Sequence, residues 1–344
     1  MNYDYVFITP LPSFYKINLY NEIAKKIRIL VIFIGESSSI RTEDFTKGEK
    51  YFNYEVLNKG DFEERDQLSS CMKLMKLLFR LKYKKIAVGG WDLIEYWLCL
   101  FINPRDKNAV IVESTSIESD MSFIKKTLKK GFFQRISLAF PSGRLHSDLL
   151  DKLGYKKKSI LTKGVGIFHR VDYEREVRPF QNKILYIGRL SKEKDVDFIV
   201  DFFNKNSQYE LTIVGKGPLK ESLELRAKHN VKIIDHVPNE IISELYLEHD
   251  IFILPSKSEP WGLVVDEALY FNIPVIVSKN VGCASELVSD GYNGVILEYT
   301  TEECLLNAIH DIKTRFFEYR TNVSKIDFNV RDNEQVNAYI KGLL

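Results

Sequence analysis

The sequence predicts an α/β protein built from two doubly wound, Rossmann-like domains. Three observations carry that expectation. The chain has 344 residues, more than one hydrophobic core usually serves. Short β-branched runs alternate with helix-periodic stretches, the pattern of parallel strands joined by crossover helices. The alternation then lapses in a polar stretch and starts again at Lys183.

In the first half the strands are read from YDYVFITP, RILVIFIG, KKIAVGG, AVIVES and SLAFPSG, with helical stretches such as Leu19 to Lys26 and Leu68 to Leu81 between them. In the second half KILYIGRL, YELTIVGKG, VKIIDHV, IFILPS and IPVIVS each precede a helix-like segment. The spacing divides the chain into a first domain over 1–165, a linker over 166–182 and a second domain over 183–328. A closing helix over 329–344 is expected to pack back towards the first domain.

Composition excludes several classes. A net charge of +2 and a pI near 8.1 are too mild for nucleic acid to be the main partner. Cys71, Cys99, Cys283 and Cys304 lie far apart without a C-x-x-C pair, so reduced thiols are expected rather than a disulfide framework or a zinc site. The opening MNYDYVFITP reads as a strand and not as a signal peptide. The longest apolar stretch, Leu93 to Ile102, carries Glu95 and is too short to span a bilayer. A cytoplasmic protein is expected.

In open α/β sheets chemistry gathers in the loops that follow strands, where helix N-termini present free N–H groups. Three such loops stand out. After KILYI come Gly188, Arg189, Lys192 and Lys194, cations beside a helix start that suit a phosphate. After YELTIV comes VGKGP, where Gly215 opens either a turn beneath a planar ligand or a plain strand-to-helix turn. After IFILPS comes KSEPWG, with Glu259 at the mouth of a helix and Glu267 about one turn inside it. The N–H groups near Gly262 and Leu263 suit a phosphate, and the two carboxylates suit sugar hydroxyls. The helix LVVDEALYF is apolar nearly all round, so a carboxylate within it needs a partner.

These loops, in order GRLSKEK, VGKGP, LPSKSEPWGLVVDEAL and NVGCASELVSDGYNGVIL, resemble the motifs of the retaining glycosyltransferase family 4. That family has the GT-B fold, two facing Rossmann-like domains with a cleft between them. The resemblance covers about a third of the chain. It implies that Arg189 and Lys194 grip a donor diphosphate, with Gly188 and Gly215 in the turns beneath it. It further implies that Gly262 and Leu263 offer backbone N–H groups, Glu267 holds the ribose, and Glu259 faces the transferred sugar. Val237, in the segment from His236 to Pro238, would line the base pocket. No metal or other cofactor is implied, because Arg, Lys and a helix N-terminus neutralise the leaving group. Three departures stand out. Asp195 replaces a glycine, Cys283 replaces another, and Glu113 stands where many relatives place a histidine facing the sugar, so Glu113 is the catalytic candidate of the first half.

The opening ITPLPSFYKINLYNEIAKK resembles family members that act on bacterial surface glycans. Pro12, Phe14, Tyr15 and Lys16 are read as an acceptor loop, the aromatics for stacking and Lys16 for a phosphate. Alternatively, Phe14 and Tyr15 staple the helix start. The cluster FIKKTLKKGFFQR carries Lys125, Lys126, Lys129 and Lys130 with apolar residues between. It reads as a peripheral contact with the cytoplasmic face of the inner membrane, or as an ordinary amphipathic helix. The sequence therefore points to transfer of a hexose from a nucleotide-diphosphate sugar to a glycan or lipid-linked glycan, as in O-antigen or capsule. The rivals are a GT-B nucleotide-sugar epimerase and a silent nucleotide-sugar-binding subunit.

Overall fold

The computed structural model describes residues 2–41, 43–119, 122–174, 177–235, 237 and 242–344. It divides into two compact units, Met1–His169 with Asn329–Leu344, and Arg170–Phe328.

The first unit is a seven-stranded parallel sheet. Its strands are β1 (Asn2–Thr9), β2 (Ile29–Ser37), β3 (Asn53–Asp61), β4 (Lys82–Val88), β5 (Asn108–Val112), β6 (Leu138–Pro141) and β7 (Lys158–Ser159), in the order β3-β2-β1-β4-β5-β6-β7. Central strands are near-continuous apolar runs because helices cover both faces. Along β1, Val6 and Ile8 point to one face, where they meet helices α2 (Gln67–Arg80), α3 (Ile94–Ile102), α4 (Phe123–Gln134) and α5 (Arg144–Lys152). Tyr5 and Phe7 point to the other, against α1 (Phe14–Ala24) and the closing helix Phe328–Lys341.

The second unit is a six-stranded parallel sheet of β8 (Lys183–Ile187), β9 (Glu210–Val214), β10 (Val231–Ile234), β11 (Ile251–Leu254), β12 (Val275–Ser278) and β13 (Gly294–Leu297), in the order β10-β9-β8-β11-β12-β13. In both sheets the strand order reverses beside the first strand of the unit, at β1/β4 and at β8/β11. Those are the positions where a doubly wound sheet leaves a crevice at its carboxyl edge.

Several elements differ from the sequence reading. Strand β3 is an edge strand whose polar NYEVLNKGD lacks the apolar run of a buried strand. Helix α1 begins at Phe14, five residues before its apolar pattern becomes clear. Residues 166–182 are not one free linker. Ile167 N–H donates to the Tyr15 carbonyl in the first unit, whereas Arg178 pairs with Asp250 and Tyr173 bonds the Tyr270 carbonyl in the second. The closing helix is held to the first unit by Val336 and Tyr339 in its core and by Gln335, which bonds both backbone groups of Gly166.

One of the four lysines assigned to a membrane surface is corrected. Lys129 is buried with its ammonium 5.6 Å from the centre of the Trp91 ring, because it falls on the same side of α4 as the core residues Phe132 and Phe133. Among the described residues no helix is long and apolar enough to cross a membrane.

Candidate active site

The loops after β8 and β11 meet at the switch point of the second unit. Lys194 Nζ donates to Glu259 Oε2 at 2.7 Å, both side chains being mostly buried. The backbone stitches the same loops together, since the Glu193 carbonyl accepts the N–H groups of Lys257 and Ser258. Ser191 Oγ holds the Glu193 carboxylate at 2.6 Å, and this bond keeps its pKa below the ordinary glutamate value. Arg189 is exposed, and its guanidinium makes no side-chain hydrogen bond among the described residues.

Asp195, where the family motif has glycine, adopts φ 55, a left-handed conformation that explains the glycine preference. Its carboxylate is buried and receives Lys257 Nζ at 2.6 Å, a compensation glycine lacks. The VGKGP turn also has a packing role. A Cβ on Gly215 would lie 1.9 Å from the Gly188 carbonyl oxygen, and one on Gly217 2.3 Å from that of Leu190. The turn is therefore filled by the backbone of residues 188–190, with the Leu190 N–H donating to the Lys216 carbonyl. Val237 is half-buried beyond β10, while His236 and Pro238 lie outside the described residues.

Helix α9 (Leu263–Tyr270), the ninth among the described residues, starts from Gly262 at φ 95 and has no side-chain cap. Its first amides, Leu263 among them, carry the positive end of the helix, with Asp266 as an acid in the first turn. The turn at 281–283 braces this start: the Gly282 N–H donates to the Glu259 carbonyl and the Cys283 N–H to the Trp261 carbonyl. Cys283 is fully buried, with its thiol directed at the Gly262 carbonyl. Trp261 is in turn fixed by its indole N–H, which donates to Asp266 at 3.1 Å.

Glu267 keeps partial solvent access but is packed so that desolvation pushes its carboxyl up to about 7. Its partner is the buried Tyr246 hydroxyl, which donates to Oε2 at 2.8 Å. Tyr246 stacks on Phe271, which fixes the hydroxyl's direction. Sequence reasoning required a partner for Glu267 but could not name it, because ISELYLEHD gives no sign that Tyr246 faces another helix.

In the first unit a pocket of about 270 Å³ lies at the carboxyl edge of β1 and β4. Tyr15, Lys16 and Glu113 line it, together with Arg41, Glu63 and Asp92, which the sequence reading did not single out. Lys16 and Glu113 form a short ion pair in which Lys16 is almost wholly buried. The expectation that Lys16 awaits a phosphate is thus revised: its charge is already taken by Glu113. Burial pushes the Tyr15 phenol up to about 12, so it remains a proton donor. Its backbone also sits under Gly166, where a Cβ would strike the Tyr15 carbonyl oxygen at 2.6 Å. Pro12 is buried, and neither it nor Phe14 lines the pocket; Phe14 packs edge-on against Tyr15 at 5.5 Å.

Residues 173–326 match the family model of glycosyl transferases group 1. A 41.2 kDa protein of the cps region of Klebsiella pneumoniae is 26% identical over 172 residues, 49% of this chain and 48% of its own. The O-antigen biosynthesis glycosyltransferase WbnH of Escherichia coli is 33% identical over 128 residues, 37% of this chain and 36% of its own. The chain thus spans about half the length, or less, of these curated relatives. Among solved structures, Anabaena Alr3699/HepE in complex with UDP and glucose superposes with a TM-score of 0.68 at 16% identity, over 98% of each chain. Both units accordingly have the parallel, Rossmann-like architecture of GT-B proteins.

Proposed function

Because residues 173–326 belong with the glycosyl transferases group 1, we propose that this protein is a retaining glycosyltransferase that moves a hexose from a nucleotide-diphosphate sugar to a hydroxyl of a lipid-linked surface glycan. The observation that carries the reading is the convergence, at one switch point, of Arg189, Lys194, Glu259, the uncapped start of α9 and Glu267. Positive groups suit the diphosphate, and the carboxylates suit hydroxyls on either side of it. The kinship with cps-region and O-antigen proteins supports a surface glycan as acceptor.

In this reading Arg189 and the α9 amides meet negative charge that grows on the departing phosphate, so the step needs no divalent ion. Lys194 serves the same charge while Glu259 orients it. Glu267, held by Tyr246, accepts the ribose hydroxyls, and Val237 borders the base. In the first unit Glu113, tied to Lys16, faces the incoming hydroxyl, with Tyr15 as a stacking platform. The exposed Lys125 and Lys130 and the half-buried Lys126 face an anionic membrane surface, so that the enzyme works as a peripheral protein on its cytoplasmic side.

The test is a panel of nucleotide sugars offered with a lipid-linked acceptor extract, product anomers being assigned by NMR. Transfer with the donor's anomeric configuration supports the reading. An inverted product removes the retaining mechanism. Sugar interconversion without acceptor points to the epimerase, and tight donor binding without turnover to a silent subunit.

A further inference from the structure

The pocket at the carboxyl edge of β1 and β4 is lined by three carboxylates, and two of them are already engaged. Glu113 pairs with Lys16, while Glu63 takes the Ser38 hydroxyl at 2.6 Å and the Ser39 N–H at 3.1 Å. Asp92 is different. Among the described residues it has no hydrogen bond or ion pair beyond its own backbone N–H, and Arg65, the cation whose field reaches it, is bound to Glu95 at 2.9 Å.

The local sequence keeps this carboxylate at the pocket. Asp92 lies in the loop GGWDL, Gly89 to Leu93, which joins β4 to α3. The Gly89 N–H donates to the Ile8 carbonyl at 3.0 Å and the Trp97 indole N–H to the Trp91 carbonyl at 2.9 Å, so the loop is fixed on both sides of its turn. A Cβ on Gly90 would stand 2.9 Å from Asp92 Oδ1 and 3.8 Å from Tyr96 Cε2, and one on Gly89 3.0 Å from the Tyr96 hydroxyl. The space that side chains would fill here is thus left to the Asp92 carboxylate and the Tyr96 phenol.

Tyr96 is an independent sign of a ligand. Its hydroxyl is fully buried behind Gly89, which lines the pocket, and it has no hydrogen-bond partner among the described residues. A buried hydroxyl left unpaired is costly and rare. A ligand hydroxyl seated at this floor supplies the missing partner.

The remaining walls suit a sugar ring. Tyr15, Phe45 and Phe62 line the pocket, and Phe62 is steadied by Arg65, whose guanidinium lies 3.9 Å from the ring centre and donates to the Phe62 carbonyl at 3.0 Å. Aromatic side chains cover the apolar face of a pyranose, and a carboxylate accepts from two adjacent hydroxyls. About 270 Å³ is room for one ring. A ligand carboxylate beside Asp92 would meet like charge, a repulsion that sets specificity. The pocket's unpaired cation, Arg41, stands at the exposed side, stacked on Phe45 at 4.9 Å.

We infer that Asp92, with the Tyr96 hydroxyl behind it, determines acceptor specificity by taking adjacent hydroxyls of a neutral pyranose and turning away a sugar that carries a carboxylate. The inference deepens the acceptor reading of this pocket and rests on it.

The experiment is a titration of the full chain with methyl glycosides, followed by saturation-transfer NMR. The neutral probes are the methyl glycosides of glucose, galactose, mannose and N-acetylgalactosamine, and the acidic probe is methyl glucuronide. At least one neutral probe should bind wild type about tenfold more tightly than the glucuronide. Asp92→Ala should weaken that binding at least about tenfold, the scale of a lost hydrogen bond to a charged group. Asp92→Asn should weaken it less and bring the glucuronide to within a few fold of the neutral probe, a change of selectivity that a merely structural role would not produce. Tyr96→Phe should keep the wild-type unfolding midpoint or raise it, and weaken the neutral probe several-fold. Unfolding midpoints near wild type show that the Asp92 variants fold. The inference is overturned if no neutral probe binds, if Asp92→Ala binds as wild type does, or if wild type prefers the glucuronide, which would give the reading role to Arg41. Wild-type binding by Tyr96→Phe overturns the share given to Tyr96. Hydrolysis of nucleotide sugars by wild type is measured alongside. Asp92-dependent sugar binding without hydrolysis counts against the transferase reading alone, and hydrolysis without sugar binding against this inference alone.

Discussion

Lys194 Nζ stands 2.7 Å from Glu259 Oε2, joining the loop after β8 to the loop after β11. Arg189, in the first of those loops, has no such partner among the described residues. Two cations with one proposed role are thus held differently, and substitution can tell them apart. Arg189→Ala should lower turnover about 100-fold, the scale of one preorganised electrostatic donor, and leave the unfolding midpoint unchanged. Lys194→Ala should lower turnover comparably and also destabilise by about 1–3 kcal/mol, because it strands a mostly buried carboxylate. Steady-state kinetics with thermal unfolding on the same samples checks both; near-normal turnover of either variant removes that residue from the mechanism.

Glu267 provides a pH test. Its folded carboxyl titrates near 7, above the ordinary glutamate value of 4.5, because burial disfavours the charge. The folded state therefore binds more protons than the unfolded state between these values, and stability falls as pH rises through that window. Glu267→Gln, which can still accept from Tyr246, should remove the loss and be the more stable form above pH 7, by on the order of 1–3 kcal/mol. Donor affinity should behave oppositely: wild type should bind more tightly as pH rises through about 7, and the Gln variant should bind weakly throughout. Calorimetry across the range measures both, and a flat wild-type profile would show that the carboxyl does not titrate there.

The sequence exposed the strands of both sheets and the loops that follow them, because fully buried parallel strands are apolar without interruption and loop residues alter the pattern sharply. Strands β3, β7 and β13, all at sheet edges, escaped; an edge strand can be polar, as β3 is, or very short, as β7 is. Side-chain partners escaped more generally. That Lys16 lies on Glu113 depends on how α1 is placed over β5, and no spacing between residues 16 and 113 encodes it. Lys129 was misplaced for a related reason: four lysines in one helix look alike until the core side of the helix is known. Tyr246 is a third case, its role set by the packing of one helix against α9.

The two motif glycines predict unequal outcomes. Gly215→Ala would push a Cβ to 1.9 Å from the Gly188 carbonyl oxygen, backbone against backbone, and should destabilise by about 2 kcal/mol or more while disturbing the Arg189 loop. Asp195→Gly should fall within about 1 kcal/mol of wild type, since relief of left-handed strain offsets loss of the Lys257 contact. Chemical denaturation of both variants decides the matter; a benign Gly215→Ala would mean that the 188–190 loop yields readily.

Transfer should persist in excess EDTA. The proposed neutralisation of the leaving phosphate relies on Arg189, Lys194 and the α9 amides, all of which belong to the protein. Activity abolished by the chelator and restored by magnesium or manganese would transfer that role to an ion.

The last prediction concerns Lys16 and Glu113. The pair lies on the wall of the first unit's pocket, with Lys16 buried and Glu113 partly open to it. If Glu113 meets the acceptor hydroxyl and Lys16 only orients it, the two residues should fail in different ways. Glu113→Gln keeps the shape and a hydrogen-bond acceptor but leaves the buried Lys16 ammonium without its anion, so it should cost about 1–3 kcal/mol of stability while still binding donor normally. Its transfer rate should nevertheless fall by about 100-fold, within the range of general acid–base effects. Lys16→Met leaves a carboxylate without its cation in a largely enclosed place and should cost about 1–3 kcal/mol of stability. Lys16→Arg, which restores the charge, should recover part of that loss and part of the turnover. Donor hydrolysis without acceptor should be the same in all three variants, because the groups proposed to hold the donor belong to the second unit. If Glu113→Gln transfers at the wild-type rate, the carboxylate serves only to neutralise Lys16, and the acceptor hydroxyl must give up its proton elsewhere, as to the departing phosphate.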